Sequence, residues 1–189
     1  MIPSVILHEV SHGVVALVFG DDTAKRAGRL TLNPIRHVDP FGTIVLPAML
    51  VLAGQPAFGW AKPVPVNPRA LRNPRQQSLF VSLAGPVTNI TLAVLAAIAL
   101  RVFQPGGDAF RALAAFGIVN VVLAAFNLIP IPPLDGSALI ERVLPRQWWP
   151  SYLKFRQYSM GLLLLLVLVV PGALSRVFDP ALDLWSKLL

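Results

Sequence analysis

Two of the three histidines in this 189-residue sequence, and one of its two glutamates, fall within five consecutive positions, His8-Glu9-Val10-Ser11-His12. The surrounding run, residues 2–19, is otherwise apolar. Residues four apart share one face of a helix. His8 and His12 can therefore direct both imidazoles at a single zinc ion, while Glu9 stands beside them to take a proton from zinc-bound water. The bland alternative is a polar cluster that only hydrogen-bonds to neighbouring helices. Within a membrane span that would leave an ionisable carboxyl group and two imidazoles uncompensated, and a divalent cation is the natural compensation.

A two-histidine site needs a third protein ligand if it is to leave a position open for water. The extended form of the motif, with a third histidine six residues on, is absent because Val18 stands there. Few acids remain. Asp135 lies in Asn-Leu-Ile-Pro-Ile-Pro-Pro-Leu-Asp-Gly, residues 127–136, directly after an apolar run. Three prolines fix φ and Gly136 permits a sharp turn, so a carboxylate can be held there without a flexible linker. On its own an Asp-Gly pair would read as a plain turn; beside the histidine pair it is the candidate third ligand. There is no cysteine, which excludes thiolate-bound zinc, iron–sulfur clusters, disulfides and a cysteine nucleophile.

The elements that must position these residues belong to a membrane protein. Hydrophobic residues make up 55% of the chain and charged ones 13%, too few to cover the surface of a water-soluble domain of this size. The fold expected is an α-helical integral membrane protein with about four transmembrane helices, a re-entrant segment and short extended, β-like membrane-associated loops. Spans are expected at 2–19, 78–103, 110–129 and 160–174, within a single domain covering 1–189. The run 41–54 is fourteen residues long with Pro47 inside it, which favours re-entry over crossing. The basic residues agree: if 41–54 only dips into the bilayer, residues 20–77 carry eight Lys and Arg, residues 130–158 carry four, and four lie elsewhere. That bias makes the two large loops cytoplasmic and both termini extracytoplasmic. The net charge of +7 then marks these loops, and no nucleic-acid partner is expected. Residues 28–42 and 58–68 alternate apolar and polar residues or prolines and read as edge strands, with Trp60 at the membrane interface. The tail, 175–189, reads as amphipathic and membrane-surface-bound. The first residues show neither a basic leader nor a small-residue cleavage site, so the first run is expected in the mature chain.

Three motifs together, HEVSH at 8–12, AGPVTN at 84–89 and the proline-rich turn ending LDG at 134–136, resemble the site-2 protease family of intramembrane zinc metalloproteases. The stretches GDDTAKRAGRLTLNPIRHVDPFGT and FGWAKPVPVNP resemble its small bacterial members, which lack PDZ or CBS domains. The resemblance implies Zn2+ held by His8, His12 and Asp135, with Glu9 as the base. It further implies cleavage of a transmembrane segment of a single-pass membrane protein substrate, usually after a first cut by another protease. A bacterial cell membrane is the location it suggests.

Asn89 has two open readings: a donor to a substrate carbonyl or developing oxyanion, or an interhelical hydrogen bond. The extended loops likewise could pair with an unwound substrate as an added strand or pair with each other. Asn120 and Asn127 have weaker claims, and His37 reads as solvated. The competing function is a membrane zinc-binding or zinc-transport protein without peptidase activity. It predicts ionisable residues on several spans, and the later spans carry almost none. Retention of Glu9, which a purely structural metal site does not need, speaks against a catalytically dead scaffold.

Overall fold

Apolar chain in lipid has to satisfy its backbone internally, and a helix does so within one segment. A computed structural model describes residues 1–52, 61–170, 172 and 174–189 and is 75% helical, with no strand among the described residues. In chain order, α1 covers Ile2–Val18 and ends at Gly20 with φ +107. A one-turn helix α2, Thr23–Arg26, and a 3-10 turn, Pro34–His37, follow. The run from Pro40 is π-helical to Val45 and continues as α3, Leu46–Leu52. The long helix α4 covers Pro74–Phe103, and α5 Gly107–Asn127. After the proline-rich turn come α6, Ser137–Val143, α7, Trp149–Val169, and α8, Ser175–Ser186.

The centre of the molecule is α4, with α1 and α5 packed along it and α6 beside it. Small residues on α4 make this possible. Ala93, Ala96 and Ala97 are buried at its inner face, while Val87, Ile90, Leu95 and Ile98 are exposed on the outside. In a water-soluble protein those four would be a liability; against lipid they are the expected surface. Among the described residues two helices, α4 and α5, are long and apolar enough to cross a membrane.

Several expectations need correction. The apolar run expected as a span at 160–174 belongs to a helix that starts at Trp149 and ends at Val169, because no breaker interrupts residues 151–159. The tail, expected as amphipathic and membrane-surface-bound, is docked on other helices. It forms α8, packed on α5 and α4, with Trp185 buried and its indole N–H donating to the Ala93 carbonyl at 3.0 Å. The expected edge strands do not form among the described residues. Pro63 and Pro65 lack the N–H a ladder needs, and the intervening donors go elsewhere: Lys62 N–H to the His37 carbonyl at 2.9 Å and Val64 N–H to Glu9. The run 41–54 is helical as far as Leu52; residues 53 and 54, like Trp60, lie outside the described residues.

Candidate metal centre

The site assembles where the middle of α1 meets the first half of α4. His8 and His12 are buried on the inner face of α1, one turn apart, with ring centroids 4.8 Å apart. Opposite them is Gly85 of α4. A Cβ there would stand 2.5–2.6 Å from His8 Nε2 and His12 Nε2, so only glycine lets the two helices close over both rings.

The outer face of each ring is fixed by a hydrogen bond. His12 Nδ1 bonds the Val81 carbonyl at 2.7 Å, and since a carbonyl only accepts, Nδ1 carries the proton. The case of His8 is settled by a residue that does not touch it. Asn120 donates from its amide nitrogen to the Phe116 carbonyl at 2.8 Å and to Ser4 Oγ at 3.1 Å, which turns its Oδ1 toward Asn89. Asn89 therefore donates from Nδ2 to that oxygen at 2.8 Å and presents its own Oδ1 to His8 Nδ1. His8 Nδ1 is thus the donor there. Both histidines are left with the lone pair of Nε2 facing inward, the tautomer a metal ligand needs.

What they face is Asp135. Its Oδ2 lies 3.1 Å from His8 Nε2 and 3.4 Å from His12 Nε2. The turn that brings it there returns to its own start: Gly136 N–H donates to the Asn127 carbonyl at 2.6 Å. Gly136 was expected to permit a sharp turn, and it sits in that turn with a helical φ of −58. The role of glycine here is room, since a Cβ would collide with the Leu128 carbonyl oxygen. The three ligand atoms lie within 4.8 Å of one another, and Asp135 Oδ2 is buried without a hydrogen-bond donor. Two inward lone pairs and an undonated carboxylate oxygen repel one another unless a cation stands between them. The residues present therefore fit zinc.

Glu9 is next to the triad but points to a different partner, its Oε2 accepting the Val64 N–H at 2.9 Å. That bond places the extended segment 61–67 at the edge of a cavity of about 380 Å3, lined by the triad, Glu9, Pro63, Val64 and Val66, with Asn127, Pro133 and Arg156 on its other walls. Asn89 does not reach this cavity. Fully buried and bonded at both ends of its amide, it has no donor left for a substrate; it orients His8. His37 is also buried, not solvated, with its Nε2 donating to the Thr31 carbonyl at 2.9 Å. Arg156, the cation lining the cavity, was not foreseen; its place in the polar first part of a helix whose remainder is apolar was the available signal.

Comparison with known proteins bears on this geometry. The model for peptidase family M50 matches residues 104–170, which include Asp135. YwhC of Bacillus subtilis, named as a zinc metalloprotease, is 42% identical over 192 residues, 97% of this chain and 84% of that protein. The chain belongs to peptidase family M50. This is the site-2 protease family, zinc-dependent and membrane-embedded, and the M50 chain described here is accordingly a zinc metalloprotease. Rip2 of Mycolicibacterium smegmatis, also named as a zinc metalloprotease, is 34% identical over 93% of the chain, which spans 66% of that relative. Zinc metalloprotease MJ0392 of Methanocaldococcus jannaschii is 25% identical over 91% of the chain and 41% of its own length. No solved structure matches.

Proposed function

We propose that this M50 chain cuts peptide bonds inside transmembrane segments of single-pass membrane proteins in a bacterial cell membrane. His8, His12 and Asp135 would hold the zinc ion through Nε2, Nε2 and Oδ2. When bound there, zinc supplies Lewis acidity toward the scissile carbonyl and toward water. Glu9 takes the proton from the attacking water and delivers it to the leaving nitrogen. Val64 N–H holds Glu9 Oε2 and so aims the other oxygen of the same carboxylate. Asn89 and Val81 keep both histidines in the ligating tautomer.

The observation that carries this reading is the placement of Glu9. A storage or transport site needs ligands only, whereas here a fourth ionisable group borders the same cavity as the triad and is held by the backbone of an extended segment. Residues 76–100 and 112–127, the interiors of α4 and α5, carry no ionisable side chain from which to build a zinc path. In this reading α1, α4, α5 and the part of α7 from Met160 onward lie in the bilayer, and the loops 20–77 and 130–158 are cytoplasmic. At 1.5 Å per residue, His12 and His8 lie about 12 and 18 Å from the end of α1 at Gly20. A helical substrate hides its carbonyls in hydrogen bonds to amides four residues on. It must therefore unwind, and residues 61–67 offer an extended neighbour for the unwound stretch.

The test is Glu9→Gln. Purified in detergent, it should keep one zinc per chain by elemental analysis and lose cleavage of a model transmembrane substrate by about 100-fold or more. Cleavage at the parent rate would remove Glu9 from the chemistry; loss of zinc together with activity would make it a ligand instead.

A further inference from the structure

Outside the metal centre the chain has a second cavity, of about 540 Å3, walled by Arg29, Arg36 and Lys62 together with Ala27, Ile35 and Val38. Among the described residues three cations and no acid line it. The acids nearest in sequence are engaged elsewhere: Asp22 Oδ1 pairs with Arg26 at 2.8 Å, and Asp39 Oδ1 accepts Gly42 N–H at 2.7 Å.

Arg29 is the informative member. It is only 7% exposed, and its Nη2 donates to the carbonyls of Lys62 at 2.7 Å and Pro63 at 3.3 Å. Its Nε is buried without an acceptor, and among the described residues no carboxylate lies within ion-pair distance of its guanidinium. A guanidinium withdrawn from water with two carbonyl dipoles for company is under-compensated. Beside a cavity carrying two further cations, what is missing is an anion. Planar forks and a compact ammonium suit a phosphate group, whose oxygens can accept from several donors at once.

We propose that this cavity binds a phosphate-bearing anion, either the headgroup of an anionic lipid or free phosphate. The rim favours the lipid: Ile35, 77% exposed, and Val38 line the same cavity, and Leu32 is 64% exposed just before it in sequence. Apolar side chains at the mouth of a cationic cavity suit an amphiphile, with the headgroup on the arginines and an acyl chain along the rim. The consequence reaches the metal centre. Arg29 grips the carbonyls of Lys62 and Pro63, and the next residue, Val64, holds Glu9. An anion that orders Arg29 also orders the segment against which Glu9 is set.

The test needs neither zinc nor substrate. Parent, the double variant Arg36→Gln with Lys62→Gln, and Arg69→Gln, which removes an exposed cation outside the cavity, are placed in phosphatidylcholine nanodiscs with and without phosphatidylglycerol. Retained lipid is read by native mass spectrometry and the unfolding midpoint by tryptophan fluorescence. The parent and Arg69→Gln should retain phosphatidylglycerol and gain midpoint from it, with binding weaker by about tenfold or more in the double variant. Inorganic phosphate added to the parent in phosphatidylcholine alone separates the sources. A raised midpoint identifies free phosphate as a ligand; no effect leaves the lipid headgroup. Equal retention by the double variant, or equal loss in Arg69→Gln, overturns the site.

Discussion

The two halves of α4 receive their neighbours by opposite means. Its first half meets α1 across Gly85 and Asn89, where, beside the apolar packing of Ala16 on Val81, the contacts that hold the histidines are directed polar ones: a carbonyl to His12 and an amide to His8, with both rings facing one carboxylate oxygen of Asp135. Its second half meets α5 and α8 across Ala93, Ala97 and Leu100, where Trp185 fills the space left by Gly117 of α5 and only the indole N–H is spent on a bond. Both halves rely on small residues for close approach. The difference lies in what the closeness accomplishes. In one half it positions a few atoms to fractions of an ångström; in the other it buries area. The metal half should therefore be sensitive to geometry and indifferent to bulk hydrophobicity, and the tryptophan half the reverse.

The largest effect expected is from Gly85→Val. Even the first carbon of the new side chain would stand 2.5 Å from His12 Nε2, so the rings must move and bound zinc should fall to background by elemental analysis while circular dichroism stays helical. Zinc retained in this variant would mean that the helices part without disturbing the triad. Trp185→Ala should act in the other direction. Emptying a buried tryptophan site costs about 3–5 kcal/mol, to be read as a lowered unfolding midpoint, while zinc per folded chain stays as in the parent. If Trp185→Ala lost zinc as well, the two halves of α4 would be one cooperative unit and the contrast would fail.

Asn120→Ala tests how far the polar half extends. Asn120 touches no ligand, yet it sets the orientation of Asn89, which sets the proton on His8. Loss of such an outer partner lowers metal affinity by about 10–100-fold, measurable by competition with a chromogenic chelator. An unchanged affinity would show that Asn89 holds His8 without help.

The same contrast decides what was legible in the sequence. The metal half was, because its chemistry is carried by scarce residue types at fixed spacing: His8, Glu9 and His12 by position within one helix, and Asp135 by the prolines that stiffen its turn. Gly136 was read as permitting the sharp turn, and the structure adds that what it supplies there is space. The docking of the tail was not legible, since amphipathicity states only that one face is apolar, not that α5 covers it. Trp185 could be placed only by knowing that Gly117 leaves a gap of its size. The extended loops were read from alternation as strands, but alternation does not say where donors go, and two prolines in five residues leave too few for a ladder. His37 has no pattern around it, and its burial comes from long-range folding of the loop.

The smallest effect, and the one that separates the halves most cleanly, is electrostatic. Just past α1, the buried carboxylate of Asp21 accepts Thr23 N–H at 3.0 Å, the Thr23 hydroxyl, and Asn67 N–H at 2.6 Å. This ties the end of α1 to the segment that carries Val64 to Glu9. Burial pushes the Asp21 pKa upward, but these donors and the nearby Arg26 outweigh it and hold it below its ordinary 3.8. A carboxylate with a depressed folded pKa gives stability that is fully present above the unfolded value and is lost as the pH falls through the folded one. Asp21→Asn should accordingly lower stability by about 1–2 kcal/mol at neutral pH, with the gap to the parent closing as the pH drops below 3.8. The gap between Trp185→Ala and the parent has no such titration, since an indole packed on alanines carries no charge, and it should persist into the same acid range. Unfolding midpoints of the three proteins by tryptophan fluorescence at neutral and acid pH make the comparison. A gap for Asp21→Asn that stayed constant into acid would mean the carboxylate holds this end of the molecule by shape, as Trp185 holds the other, and the distinction between the two halves would not extend beyond the metal ligands.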